Sequence, residues 1–476
     1  MKLFDTTVHK LKHDVIKEII RNEYYNEYSD LYLEIPKKIS PGPKAHLRCC
    51  VFKERAILQE RIKLALGGDN KNPNIVEVID IACDECPAGC LYVTPSCRNC
   101  LTKRCTEVCP KNAIKSFDKR MIIDRNVCVE CGKCISACPY GAIIQQKRPC
   151  ISSCKVKAIR ITNEDKIIID IDKCIGCGAC IYQCPFGAIS DKSYIVDAMR
   201  IIRNKQSDNP YKVYAVVAPS IISQFKYAKL GQVVTGIKAI GFDSVIEAAM
   251  GADIVIHKEL DELKAGHTLT SSCCPAFVSL IEKKFPELLK YVSSSLSPMV
   301  EAALVIKRKD PTCKIIFIGP CSAKKLEFKL EKTKGAIDCV LSFEELQAYF
   351  SALEIEIESL EETVMDDASL YGRIFARSGG ITQGIRENAA KAGLKNINPI
   401  AMNGITEINA NLLKLKLNRA EANFFEGMAC DGGCIGGALC LSHGLKNAQE
   451  VDKYGASATQ KEIDHSVMIY EQSLKL

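Results

Sequence analysis

No stretch of this 476-residue chain approaches the roughly 18 uninterrupted apolar residues that a membrane-crossing helix needs, so no membrane span is expected. The amino terminus, MKLFDTTVHKLKHDVIKEII, lacks an apolar core and a small-residue cleavage site and carries charges throughout, which argues against a secretory leader and for a cytoplasmic location. Charge of one sign is also scarce: 64 Lys and Arg against 57 Asp and Glu leave +7, too little over this length to indicate a nucleic-acid binder, though it suits an acidic protein partner. With 47% hydrophobic and 25% charged residues, neither extensive disorder nor a fibrous repeat is expected, and the length implies two to four domains at roughly 100 to 200 residues each.

What the chain has in excess is cysteine, 27 in all, and in a reducing compartment such density points to metal ligation or catalysis before disulfides. Nineteen cysteines precede residue 185 and eight follow residue 270, with none from Phe186 to Ser272. That division suggests a helical amino-terminal region at 1–80, a cysteine-rich domain at 81–205 and a third domain at 206–476. The first region holds only Cys49 and Cys50, read as idle thiols in preference to a ligand pair.

Between Cys83 and Cys184 the sequence repeats itself. CVECGKCISACPYGAI (Cys128, Cys131, Cys134, Cys138) and CIGCGACIYQCPFGAI (Cys174, Cys177, Cys180, Cys184) both read C-x2-C-x2-C-x3-C-P, the bacterial ferredoxin spacing in which three close thiolates wrap one [4Fe–4S] cluster and the fourth reaches the neighbouring cluster. Two imperfect copies precede them. CRNCLTKRCTEVCPKNAI places Cys97, Cys100, Cys105 and Cys109 with a two-residue insertion, and CISSCKVKAI keeps only Cys150 and Cys154. Exchange of the fourth thiolate then completes three groups: Cys97, Cys100 and Cys105 with Cys138; Cys128, Cys131 and Cys134 with Cys109; Cys174, Cys177 and Cys180 with Cys154. Cys150 and Cys184 are left over, and Cys83 and Cys86 offer the missing half of a fourth cluster, with Cys90 as an alternative ligand. Three to four such clusters form a wire for single electrons.

Beyond about Tyr211 the texture changes to short β-branched runs, YKVYAVVAPS and KIIFIGP, separated by helical segments such as SPMVEAALVIKRK, which is α/β patterning. Strand ends in such folds present ligands to a crevice. Three strand-to-loop junctions carry cysteines: SSCCPAF with Cys273 and Cys274, GPCSAKKLE with Cys321, and EGMACDGGCIGGA with Cys430 and Cys434.

In order and spacing these segments resemble the three signatures of [FeFe]-hydrogenases, T-S-C-C-P-x-W, P-C-x-x-K-x-x-E and E-x-M-x-C-x-x-G-C-x-x-G-G. The resemblance implies a multidomain α/β and α+β protein, with ferredoxin-like 4Fe-4S modules followed by an α/β iron-hydrogenase catalytic domain that holds the H-cluster, a [4Fe–4S] cluster joined through one cysteine sulfur to a two-iron unit with CO, CN⁻ and a bridging azadithiolate. It implies Cys274, Cys321, Cys430 and Cys434 as the four ligands, Cys434 bridging to the two-iron unit. Glycines at 432, 433, 436 and 437 would let backbone approach this bulky body without Cβ clashes. Cys273 would pass protons to the bridgehead amine, and Glu259, Glu262 and Ser293 fall on the family's relay positions. Lys324 would hydrogen-bond a cyanide, Glu327 would hold that lysine, and Met428 with Ala218, Pro219 and Ser220 would line the cavity.

Departures from the signatures are Phe277 for tryptophan, Ser271 for threonine, Gly319 for methionine, Met299 for glutamine and Ala438 at the end of the glycine triplet; none removes a ligand. The SCCPAF form resembles the branch called group B. The resemblance implies reversible reduction of protons to H₂, with ferredoxin or flavodoxin as electron carrier and hydrogenase maturation enzymes as partners. Two alternatives are weighed against it: an H-cluster-containing hydrogen sensor with low turnover, and a non-catalytic Fe–S carrier or assembly protein. Cys313, Cys339, Cys440 and the seven histidines match no ligand position and are read as structural or exposed.

Overall fold

The structure, a computed structural model, describes residues 4–86, 90–162, 164–207 and 209–475; of Cys90 it describes the backbone alone, so its proposed ligand role lies outside the described side chains. The chain starts with the helix Thr7–Tyr25, whose cap Thr6 accepts a hydrogen bond on Oγ1 from His9 N at 3.2 Å, supplying one of the acceptors a helix start lacks. Val15, Ile16, Ile19 and Ile20 form its buried stripe. That stripe packs on the helices Val51–Ala65 and Phe343–Ala352, so the first helix shares a core with the last third of the chain.

In the cysteine-rich part, one local device recurs four times. After Cys109, Cys138, Cys154 and Cys184 the chain turns through a left-handed residue three places on: Asn112 (φ 50°), Gly141 (φ 58°), Lys157 (φ 56°) and Gly187 (φ 58°). The turn aims the next backbone N–H at the cysteine sulfur, from Ala113, Ala142, Ala158 and Ala188 at 3.2–3.3 Å. The isoleucine that follows opens a strand in every case: Ile114–Phe117, Ile143–Gln146, Ile159–Ile161 and Ile189–Asp191. Each pairs antiparallel with another short strand, giving four two-stranded ribbons.

The carboxy-terminal part contains two parallel sheets. One has the order Ser244–Glu247, Val213–Val217, Lys314–Gly319, Cys339–Ser342; the other has Leu269–Thr270, Phe424–Met428, Pro399–Asn403. Runs such as Ile315–Ile318 are buried throughout, the pattern expected when helices cover both faces of a parallel sheet. Four strands, Val213–Val217, Leu269–Thr270, Lys314–Gly319 and Phe424–Met428, end just before Ala218-Pro219-Ser220, Cys273-Cys274, Cys321 and Cys430, so all the segments singled out from the sequence emerge from carboxyl ends of strands.

A buried ionic network joins the three parts of the chain. Lys12 contacts Asp191 and Glu344, while Lys325, with no exposed surface, donates at 2.8 Å to both Asp191 and Glu345. Among the described residues no helix is long and apolar enough to cross a membrane.

Candidate active site

Cys274 caps the helix Pro275–Lys284, with Pro275 in the first turn, where its missing N–H costs nothing. Cys321, Cys430 and Cys434 converge on it. Burial pushes the Cys321 thiol up to about 11, with the Cys274 thiolate adding to it and Lys324 opposing. Cys434 is pushed up to about 12 by burial and then by Cys321 and Cys274. Cys430 is raised well above the usual thiol range by burial and then by Cys321, Cys274, Cys177 and Cys434. Four half-buried cysteine side chains brought this close together are the donor set that a cationic iron cluster would take.

Three of the glycines at 432, 433, 436 and 437 have a role within the chain itself. An added Cβ at Gly433 would stand 2.6 Å from Ser378 N, at Gly436 2.0 Å from Asp431 O and at Gly437 2.6 Å from Pro320 O. They let the Cys430–Cys434 loop press on the chain's own backbone; only Gly432 faces nothing closer than the Ile435 side chain at 3.8 Å.

Lys324 Nζ donates to Glu327 Oε2 at 2.7 Å and to the Cys273 carbonyl at 3.3 Å. Burial alone would lower this lysine, but Glu327 overrides it and keeps the ammonium. Met428 is buried beside Cys273 and Phe375, and Ala218 and Ser220 are buried at the end of their strand, the Ser220 hydroxyl without a partner among the described residues.

The relay residues also come together. Cys273 lies near Glu259, and Glu259 near Glu262. Glu259 is wholly buried and neither oxygen has a hydrogen bond of normal geometry among the described residues; burial, then Glu262, holds its carboxyl well above the ordinary carboxylate range. Glu262, half-buried, accepts from Ser293 Oγ at 3.2 Å and from Ser294 Oγ at 2.7 Å. A path thus runs from the buried thiol outward. Glu259 and Glu262 share one face of the helix Ala248–Lys264, three residues apart.

The cysteines from Cys83 to Cys184, Cys90 aside, fall into four groups. Cys97, Cys100, Cys105 and Cys138 line one shallow hollow, and Cys109, Cys128, Cys131 and Cys134 another. Cys174, Cys177, Cys180 and Cys154 sense one another's charge. So do Cys83, Cys86, Cys150 and Cys184; burial and then these thiolates push Cys150 up to about 11. Among the described residues no three His, Cys, Asp or Glu side chains close on a single-ion site.

The third group abuts the candidate site. Cys177 neighbours both Cys274 and Cys430, Ser322 Oγ donates to Gly176 O at 2.7 Å, and Lys283 Nζ donates to Cys174 O at 2.6 Å. Gly178, at φ 73°, permits this contact, since a Cβ there would meet Ser322 Oγ at 2.5 Å and Ala438 Cβ at 2.6 Å.

Residues 211–438 match the family described as "Iron only hydrogenase large subunit, C-terminal domain", and residues 96–142 and 120–185 match 4Fe-4S dicluster domains. The domain at 211–438 belongs to the iron-only hydrogenase family. Iron hydrogenase 1 of Clostridium pasteurianum is 29% identical over 75% of this chain and 72% of its own length. The NADP-reducing hydrogenase subunit HndD of Solidesulfovibrio fructosivorans is 24% identical over 65% of this chain and 55% of its own, and the cytosolic Fe-S cluster assembly factor NAR1 of Kluyveromyces lactis is 37% identical over 19% of each. A solved variant of [FeFe]-hydrogenase HydA1 from Chlamydomonas reinhardtii covers 58% of this chain and 93% of its own, at 20% identity and a TM-score of 0.46.

Several residues of the iron-only hydrogenase domain and its dicluster neighbour escaped the sequence reading. Glu426, the first letter of the third signature, is buried near Cys273, Glu259 and Cys434 and accepts from Gly379 N at 2.7 Å and Thr382 N at 2.8 Å. Cys440 donates its S–H to the Cys434 and Ile435 carbonyls at 3.6 and 3.5 Å. Arg148 donates to Cys83 Sγ at 3.7 Å, and Arg61 to Gly187 O at 2.8 Å beside Cys184. Only Glu426 had a signal, its place in the motif. Cys313 and Cys339 are buried, and Cys49 and Cys50 are exposed.

Proposed function

We propose that the protein is an [FeFe]-hydrogenase, catalysing 2H⁺ + 2e⁻ ⇌ H₂ with electrons from reduced ferredoxin or flavodoxin. The observation that carries this reading is a fifth buried thiol, Cys273, set beside four converging ones and linked through Glu259 to the Ser293–Glu262 pair. A carrier of electrons alone has no use for that path.

Cys274, Cys321, Cys430 and Cys434 would hold the H-cluster, which when bound supplies two-electron chemistry at its two-iron unit. Lys324, kept charged by Glu327, places an N–H donor at the Cys273 side of the cavity and would orient a cyanide. Glu259 keeps its proton because its surroundings are dry, and the Cys273 thiol does so for the same reason. Protons would enter at Glu262, which meets solvent, and pass by Glu259 to Cys273. Ser293, hydrogen-bonded to Glu262, would keep that carboxylate aligned. The four outer cysteine groups would hold [4Fe–4S] clusters, the group of Cys154, Cys174, Cys177 and Cys180 being the last before the active site.

The likeness to NAR1 favours a second reading, a cluster-assembly protein without hydrogen chemistry. One experiment separates the two. The clusters are reconstituted anaerobically, a synthetic two-iron precursor is added, and H₂ is measured with reduced methyl viologen alongside infrared spectra. Hydrogenase function predicts diatomic-ligand bands and H₂ evolution, with Cys273→Ala keeping its iron and losing at least about a hundredfold in rate. Absence of both bands and H₂ favours the assembly reading, and a Cys273→Ala variant as fast as the parent removes the relay.

A further inference from the structure

Charge is spread unevenly along the chain. Residues 91–150 hold eleven Lys and Arg against four Asp and Glu, a net +7 equal to that of the whole protein, so the other residues together are neutral. Ten of those eleven cations are exposed: Arg98, Lys103, Arg104, Lys111, Lys115, Lys119, Arg120, Arg125, Lys133 and Lys147. Elsewhere surface lysines commonly pair with carboxylates, as Lys229 does with Glu362 and Lys416 with Glu287. Among the described residues none of the ten forms an ion pair. A domain of this kind carries an uncompensated positive field into solvent.

The field has a focus. Cys100 and Cys105 are separated by four residues where the perfect copies have two, and the extra length makes a protruding loop, with Asn99 at φ 46° and Lys103 at φ 39°. Its tip, Leu101, is fully exposed. Arg98, Lys103 and Arg104 rim the hollow lined by Cys97, Cys100, Cys105 and Cys138, and Tyr140, itself 56% exposed, rims it too; no acidic side chain does. An apolar tip within a ring of unpaired cations is the composition of a protein-binding surface whose partner is acidic with a small apolar centre. A bare polyanion would leave Leu101 without a counterpart.

We propose that the loop from Arg98 to Arg104 is the docking site of a small acidic one-electron carrier protein, seated over the hollow of Cys97, Cys100, Cys105 and Cys138. The proposal rests on the reading that this hollow holds a [4Fe–4S] cluster. One electron leaves the reduced carrier and is accepted at the four-cysteine site; no bond or proton moves. The insertion that spoils the ferredoxin spacing is thereby a recognition device, bringing the carrier close to the half-buried cysteines that would hold the cluster.

The test uses holoprotein with its [4Fe–4S] clusters reconstituted and without the two-iron unit, so that it does not depend on hydrogen chemistry. An oxidised acidic 2[4Fe–4S] ferredoxin is titrated onto the parent, a Lys103→Glu/Arg104→Glu variant, a Leu101→Asp variant, and a Lys414→Glu/Arg419→Glu control carrying the same charge change on the hydrogenase domain. Calorimetry at low and high salt should show Kd raised about tenfold or more in the first two variants, with a shallower salt dependence in the double variant, and little change in the control. Stopped-flow reduction by the same ferredoxin, once reduced, should slow in parallel, while reduction by methyl viologen stays as in the parent. Unaltered ferredoxin binding in both loop variants overturns the proposal. So does equal weakening in the control, or tighter binding of a DNA duplex than of ferredoxin by the parent. Docking intact here together with no H₂ evolution from the parent once the two-iron precursor has been added would instead count against the proposed function alone.

Discussion

Glu259 shows how one residue acquires chemistry from its surroundings. In the sequence it is a helical glutamate three positions from another; in the fold it has no exposed surface and no hydrogen-bond partner of normal geometry among the described residues. Glu259→Gln keeps the shape and removes the proton, so H₂ evolution should fall about a hundredfold or more at unchanged iron content, checked by assay and metal analysis of matured protein. Asp253, on the same helix, offers a stability counterpart. Burial raises its carboxyl to about 7 against hydrogen bonds from Ser369 and Ser466 that lower it. A raised acid favours the fold while protonated and is lost as a stabiliser once pH climbs through 7. Asp367, raised to about 6 mainly by burial, acts in the same sense. The melting temperature should therefore fall between pH 5 and pH 8, and Asp253→Asn should flatten that fall in a calorimetric series. The candidate ligand cysteines could be found because motif spacing marks them, while Glu259, Glu262 and Ser293 were singled out only through the family resemblance. Asp253 could not be found, because nothing local distinguishes a buried polar side chain from an exposed one, and for the same reason Cys440 could be read only as structural or exposed.

At the scale of elements, the two perfect cysteine repeats are nearly identical as sequence and unequal as structure. Gly132 and Gly178 occupy the same place in them, both left-handed at φ 76° and 73°. An added Cβ at Gly132 would come no nearer than 3.9 Å to Ile135 Cδ1, whereas at Gly178 it would strike Ser322 and Ala438. Gly132→Ala should cost about 1 kcal/mol, the backbone part alone, and Gly178→Ala at least twice that, read from denaturant unfolding of the cluster-loaded proteins. Likewise Glu130 has φ 54° where the second repeat has Gly176, whose Cβ would meet Leu326 at 2.4 Å. The repeated cysteine spacing and the α/β alternation were legible because each follows from a few adjacent residues, whereas the left-handed turns and the ribbons they open were not read from it. Which repeat faces the hydrogenase domain is decided by contacts more than a hundred residues apart, and only its extra glycine hinted at it.

For the whole molecule, the amino-terminal helices turn out to be structural partners of the carboxy-terminal part. The sequence shows their helical character and offers no sign of what they touch, since the acceptors of Lys12 are Asp191 and Glu344. With the side chains of Lys325, Asp191 and Glu345 fully buried, loss of one member leaves uncompensated charge out of water. Lys12→Met should therefore destabilise the protein by about 3 kcal/mol or more, whereas Lys10→Ala, which removes a largely exposed pair with Asp14, should change it by less than about 0.5 kcal/mol; equilibrium urea unfolding distinguishes them.

The span between Lys12 and Glu344 is 332 residues. A ribosome must therefore release the first helix, with at most the helix Val51–Ala65 to cover part of its isoleucine stripe, long before Phe343–Ala352 has been translated. That interval is a window for aggregation or for capture by a chaperone, and it makes the earliest part of the chain to be synthesised among the last to settle.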